Sequence, residues 1–206
     1  MIARLAWRII RIAIFAVLFT LFMVNFHEVG HTLVARALGD SSAHYVLVET
    51  TATSTCAGCN LYDSGRLGDA ANIAVNFGGV LFTQLLCWTA ILFMAVGNRR
   101  LFPSWALLTV AAITWLGDLV FQLAQGLIDR VPAHLPRGPE MSYTDYTAVA
   151  WFARDATGIP ATAWKLALLV GTVAYSSLLA LAMRRAVRRR RQAAALASWS
   201  VHGPSA

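Results

Sequence analysis

The sequence predicts an all-α polytopic membrane protein with about four transmembrane helices and a small β-hairpin-like segment after the first helix. Of its 206 residues, 58% are hydrophobic and only 13% are charged, whereas a soluble domain of this size needs more polar surface. Four apolar stretches also reach the roughly 20 residues that a helix needs to cross a bilayer. These stretches are residues 5–26, 70–96, 105–127 and 163–183. We therefore expect a single membrane-embedded domain over residues 1–183.

The net charge of +7 is concentrated at the chain ends and between the second and third spans. The basic residues there are Arg4, Arg8, Arg11, Arg99, Arg100 and the arginine-rich run 184–191. Because cytoplasmic loops are enriched in Lys and Arg, we expect a multi-pass protein of the cell membrane with both termini in the cytoplasm. Residues 184–206 form a basic cytoplasmic tail, weakly structured from residue 192, that can contact anionic lipid head groups. No folded basic face accompanies it, so we expect no nucleic-acid partner.

The first span runs without a break into His27-Glu28-Val29-Gly30-His31. Residues four apart share a helix face, so His27 and His31 point the same way. Two imidazoles at this spacing can hold one Zn²⁺ ion, and Glu28 can act as the general base toward a metal-activated water. Ionisable residues at membrane depth are costly and mark functional sites. We expect this helix to end near Leu38, where Gly39 and Asp40 stop it.

Residues 44–62 are rich in β-branched and aromatic types, which predicts one or two short strands. An exposed strand edge could accept an unwound substrate segment by main-chain pairing, and a simple connecting hairpin is the alternative. Cys56 and Cys59 form a C-x-x-C pair in this segment. A local disulfide fits an outer compartment best, although the sequence does not fix the redox state of the pair.

The second span begins with Asn72 and Asn76 one helical turn apart, followed by Gly78-Gly79. Isolated amides facing lipid are unfavourable, so we expect both asparagines to line a polar cavity. There they could hold the substrate backbone or an oxyanion. The two glycines permit close helix approach, and packing alone is an equally good explanation for them.

Catalytic zinc typically takes three protein ligands and a water, so one further ligand is needed. Asp118, past the middle of the third span, is the first choice, because an ionisable residue inside a span should face the bundle interior. Asp145 is the runner-up. It could equally cap a short helix that begins at Tyr146.

The HEVGH sequence in a hydrophobic helix, then a short polar extended segment, then a helix bearing Gly78-Gly79, resembles the site-2 protease family of intramembrane zinc metalloproteases. More narrowly it resembles the small bacterial branch, over most of residues 15–180. In that family an Asp in a Leu-Asp-Gly context completes the metal site, and Gly117-Asp118-Leu119 matches this in part. Small bacterial members carry a Ser-Asp-Ala segment before the last span, which the segment around Asp145 resembles. Gly79 stands where the family has proline.

The resemblance implies a zinc-dependent intramembrane peptidase that cleaves a membrane-anchored protein or peptide, with the lipid bilayer as its surroundings. The alternative is a non-catalytic metal-binding scaffold or partner-binding protein of the same fold. A transporter would normally show inverted repeats, and the sequence shows none. The oligomeric state is left open, and a homo-oligomer is compatible with the sequence.

Overall fold

The computed structural model describes residues 2–50, 55–97, 101–131 and 144–201. Its four long helices are apolar enough to cross a membrane: α1 (Ile2–Ala37), α2 (Asp69–Val96), a third helix over Ser104–Ile128, and α6 (Ala161–Val201). The predicted all-α polytopic fold is therefore confirmed, together with the small sheet after the first helix. The Arg99–Arg100 turn on which the predicted topology partly depends lies outside the described residues.

Helix α1 ends at Ala37, as its sequence predicts. Gly39 has φ of 111°, a left-handed conformation that glycine adopts without steric cost and that commonly terminates helices. The amide of Asp40 then donates to the carbonyl of Ala35. The carboxylate of Asp40 is buried and accepts hydrogen bonds from the amide of Ser42 (3.0 Å) and the amide of Asp63 (2.7 Å). It therefore joins the end of α1 to the segment that leads into α2.

The predicted hairpin is present as β1 (His44–Thr50) and β2 (Thr55–Leu61), which pair antiparallel. The hairpin lies against α1, because the Tyr45 hydroxyl donates to the side-chain oxygen of Asn25. Cys59 is disulfide-bonded, while the side chain of Cys56 lies outside the described part of the chain. The hairpin thus packs beside the helix that carries the two histidines.

Helix α2 is central, since it contacts α1, the third helix and α6 as well as the short helix α5 (Asp145–Thr157). Its closest crossing is with α1. A Cβ atom added to Gly30 would lie 2.6 Å from the carbonyl oxygen of Gly78, and one added to Gly78 would lie 2.9 Å from the carbonyl oxygen of Gly30. Only glycine at both positions permits this approach, which is the packing role that small residues play between membrane helices.

The third helix consists of α3 (Ser104–Ala112), a π-helical segment (Ile113–Val120) and α4 (Phe121–Ile128). Backbone hydrogen bonding in the π-helical segment departs from the α-helical pattern, and such segments often occur at functional sites. The side-chain amide of Gln84 on α2 donates to the main-chain carbonyl of Thr114 at 3.0 Å. The segment is thus stabilised by a polar side chain from the neighbouring helix.

Helix α6 continues through the arginine run to Val201, so the expectation of weak structure is wrong for residues 192–201. Arg190 is buried, and its guanidinium donates to the carbonyl oxygens of Phe93 and Phe102. Phe93 lies in the last turn of α2, and its carbonyl oxygen also accepts from the amide of Gly97 at 2.8 Å. Arg190 therefore fastens the basic end of α6 to the end of α2.

We predict that Asp40→Ala lowers the thermal midpoint of the purified protein in detergent by several degrees, because the change removes the buried acceptor of the Ser42 and Asp63 amides. Burial alone would raise the pKa of Asp40, but the hydrogen bonds from Ser42 and Asp63 outweigh burial and hold the pKa below its ordinary value. The stabilisation is therefore complete above about pH 4 and declines as the pH falls through the lower pKa of the folded state. Asp155→Ala, which removes a partly exposed ion pair with Arg154, is the control and should change the midpoint little. Equal midpoints for the two variants would contradict the role of Asp40.

Candidate metal centre

His27 and His31 lie on the face of α1 that packs against α2, and both are only 5% exposed. Their ring centroids are 4.7 Å apart. The potential ligand atoms of His27, Glu28 and His31 all lie within 4.8 Å of one another, a spacing that can hold a metal ion. The face shared by the two histidines is thus the one that the four-residue spacing predicts.

His31 is fixed by the backbone of α2. Its Nδ1 lies 2.7 Å from the carbonyl oxygen of Val75 and 3.3 Å from the amide nitrogen of Gly79. Because a carbonyl oxygen only accepts, the shorter contact requires the proton to be on Nδ1. The lone pair of His31 is then on Nε2, which lies 3.3 Å from an oxygen of Asp145. This is the tautomer that a metal-ligating histidine needs.

His27 lies between two carboxyl groups. Its Nδ1 is 3.1 Å from Asp118 Oδ1, although this approach does not have hydrogen-bond geometry. Its Nε2 is 2.9 Å from Asp145 Oδ2. A neutral imidazole carries one N–H, so it can serve only one of these carboxyl groups. A proton or a metal cation is needed at the other nitrogen.

Asp145 is the first residue of α5 and meets both histidines, with one oxygen toward each Nε2. Burial alone would raise its pKa, but the positive charge that His31 carries when it is protonated and the hydrogen bond with His27 hold the pKa of Asp145 well below its usual range. Asp118 lies on the opposite side of the His27 ring, where its second oxygen accepts from the hydroxyl of Thr83. The geometry therefore places Asp145 in front of the two Nε2 atoms and Asp118 behind one ring.

Gly79 lies in close contact with the two histidine rings. A Cβ atom at this position would collide with Nε2 of both His27 and His31. The rings therefore occupy the place that a side chain would take, and only glycine lets α2 approach them this closely. Two imidazole nitrogens and a carboxylate form the mixed N and O donor set that zinc takes in catalytic sites. The residues present thus fit a divalent metal ion of this type.

The hairpin holds Glu28. The amide of Asn60 on β2 donates to Glu28 Oε2 at 3.2 Å, and the side-chain oxygen of Asn60 accepts from the hydroxyl of Thr32 at 2.9 Å. Asn60 therefore links the strand to two residues of α1, one on each side of His31. Sequence reasoning did not single out Asn60, because its role follows from how the hairpin packs on the helix.

The side-chain amides of the two predicted cavity asparagines are engaged away from the histidines. Asn72 donates to the carbonyl oxygens of Ser64 and Leu67, and so holds the segment before α2. Asn76 donates to the Asn72 carbonyl and to the hydroxyl of Tyr62. Burial raises the pKa of Tyr62 to about 12. Both asparagines are buried, as predicted, but each amide already has two acceptors.

The chain matches no protein-family model, and comparisons with curated proteins and with solved structures also found no match. The resemblance to site-2 proteases thus rests on the sequence motifs alone. Fold and site together define a protein with four helices able to span a membrane and a buried His27-Glu28-His31 cluster that can hold a metal ion.

We predict that Gly79→Ala abolishes stoichiometric metal binding, because its methyl group collides with both Nε2 atoms. Gly171→Ala is the matched control. Gly171 also lies in a membrane-length helix, and a Cβ atom there meets nothing within 4 Å. Metal content by mass spectrometry and helicity by circular dichroism should separate the two variants, with the fold retained in both. Wild-type metal content in Gly79→Ala would show that the close contact of Gly79 with the two imidazoles is not needed for metal binding.

Proposed function

We propose that this protein is a zinc-dependent intramembrane peptidase that cleaves a membrane-anchored protein or peptide. The observation that carries the proposal is the arrangement of Asp145 against His27 and His31, with Glu28 beside them and Gly79 in close contact with both rings. Ionisable groups buried among membrane-length helices are costly and mark functional sites.

In this proposal His27, His31 and Asp145 are the zinc ligands. Asp118, the first choice from sequence, instead faces Nδ1 of His27 at 3.1 Å. A carboxylate behind a metal-ligating histidine orients the ring and raises its basicity. The Val75 carbonyl does the same for His31. Each imidazole thus has an oxygen near Nδ1, in hydrogen-bond geometry for His31 and at 3.1 Å without that geometry for His27, and Nε2 is the atom that faces Asp145.

Zinc in such a site supplies a Lewis acid that lowers the pKa of a water toward neutrality. Glu28 takes the proton of the attacking water and later passes it to the leaving amine. The Asn60 amide fixes one oxygen of Glu28 and so aims the carboxylate. Because the amides of Asn72 and Asn76 already donate to other acceptors, we assign these residues a role in holding the segment before α2 and Tyr62. Neither is assigned to the oxyanion.

The substrate class follows from where the site lies. His27 and His31 are in a helix of membrane length, so a substrate has to reach them within or at the edge of the bilayer. A backbone can be cleaved only where it is unwound, and an unpaired backbone is tolerated at this depth only inside a protein-lined cavity. The arginine distribution supports cytoplasmic termini in the cell membrane. The site then lies toward the outer side.

We predict that Glu28→Gln retains zinc but loses proteolysis, because the amide cannot accept the water proton. The measurement is bound metal in purified protein, together with mass-spectrometric mapping of new protein termini in membranes from cells producing wild type or Glu28→Gln. Termini inside or next to transmembrane segments should appear only with the wild type. Identical patterns despite bound zinc would favour the alternative, a non-catalytic metal-binding scaffold.

The two aspartates should differ in their effect on metal binding. Asp145→Ala removes a ligand and should abolish stoichiometric zinc, whereas Asp118→Asn should weaken affinity about 10–100-fold, as changes behind a ligating histidine typically do. Competition with a chromophoric chelator measures both affinities. If Asp118→Asn lost more zinc affinity than Asp145→Ala, Asp118 would be the third ligand. If both variants kept the wild-type zinc affinity, neither aspartate would belong to the metal site.

A further inference from the structure

The N-terminus of α5, which presents Asp145, is not capped by its own residues. Thr144 is the N-cap residue, yet its side chain makes no capping hydrogen bond to a main-chain amide of α5 and lies 2.9 Å from the Thr147 hydroxyl. Its hydroxyl donates instead to Asp129 Oδ2 at 3.0 Å. The hydroxyl of Thr147, in the first turn, donates to the same oxygen at 3.1 Å. One carboxylate from another helix therefore holds two side chains that flank Asp145.

Asp129 is the residue that ends α4, and a second group of the same helix also reaches α5. The side-chain oxygen of Gln122 accepts from the amide of Asp145 at 3.3 Å. The main-chain carbonyl of Asp129 in turn accepts from the ammonium of Lys165 on α6. The start of α5 is thus fixed to the third helix by three hydrogen bonds, and Asp129 is in turn fixed to α6. Charge-assisted hydrogen bonds of this kind are among the strongest.

We propose that Asp129 is a positioning residue for the metal centre. It sets the depth and rotation of α5 so that both oxygens of Asp145 face the two histidines. This inference rests on the proposed metal ligands. A ligand must be held to within about 0.5 Å of its productive position. Asp145 lies on a short helix that does not span the membrane, so its position depends on what fastens that helix. Asp129 contacts neither histidine and acts only through Thr144 and Thr147.

The test compares metal binding in Asp129→Ala and Asp129→Asn, with Co²⁺ as the probe. Cobalt accepts the same donors as zinc, and its visible spectrum reports coordination geometry. Asp129→Ala should weaken Co²⁺ affinity about 10–100-fold and shift the visible bands. Asp129→Asn keeps an acceptor oxygen for the two hydroxyls and should restore most of the affinity and the wild-type spectrum. Asp155→Ala removes an acid of the same helix α5, in a pair with Arg154, and should behave as wild type.

The double variant Thr144→Val/Thr147→Val removes the same two hydrogen bonds but keeps side chains of similar shape. It replaces Asp129→Ala in the test if Asp129→Ala does not fold. It should reproduce the weaker affinity and the shifted bands. Wild-type affinity and spectrum in either folded variant would overturn the positioning role, as would a loss of stability with an unchanged spectrum. Failure of the wild-type protein to bind Co²⁺ would overturn the proposed metal centre itself.

Discussion

The contact on which the rest of the site depends is the crossing of α1 and α2 at Gly30 and Gly78. Lipid provides no hydrophobic force that drives helices together, so their association relies on close packing and on hydrogen bonds. A Cβ atom on either glycine would meet the carbonyl oxygen of the other. The short distance between the helices brings the Val75 carbonyl within hydrogen-bond reach of His31. A wider crossing would leave the histidine without the acceptor that fixes its tautomer.

A second constraint is that polar groups inside an apolar bundle need partners. The inner face of α2 provides them to its neighbours: Thr83 donates to Asp118, and Gln84 donates to the Thr114 carbonyl. Both contacts fall in or beside the π-helical segment, whose backbone bonding differs from the rest of the third helix. These two hydrogen bonds therefore fix the rotation and depth at which the third helix presents Asp118 to His27. This explains how a carboxyl group is held beside Nδ1 of the His27 ring.

The fold was largely predictable from the sequence, because hydropathy and the four-residue spacing of His27 and His31 are local properties. The placement of Asp118 and Asp145 relative to the histidines was not. It depends on how the third helix packs and on a short helix that brings Asp145 from outside the predicted spans. Similarly, the glycine pair could be assigned to packing, but its division between a backbone contact at Gly78 and a contact with the two imidazoles at Gly79 requires the crossing geometry.

The different placement of the two aspartates has a chemical consequence. Asp118 is held within a membrane-length helix, at the nitrogen of His27 that would carry the proton. Asp145 is at the N-terminus of α5, where the helix dipole stabilises negative charge, and it faces the Nε2 of both rings. Nitrogen lone pairs and a carboxylate that point at one another repel unless a positive charge lies between them. A protonated imidazole or a metal cation between the rings and Asp145 can supply that charge, and the His27-Glu28-His31 cluster has the spacing to hold a metal ion.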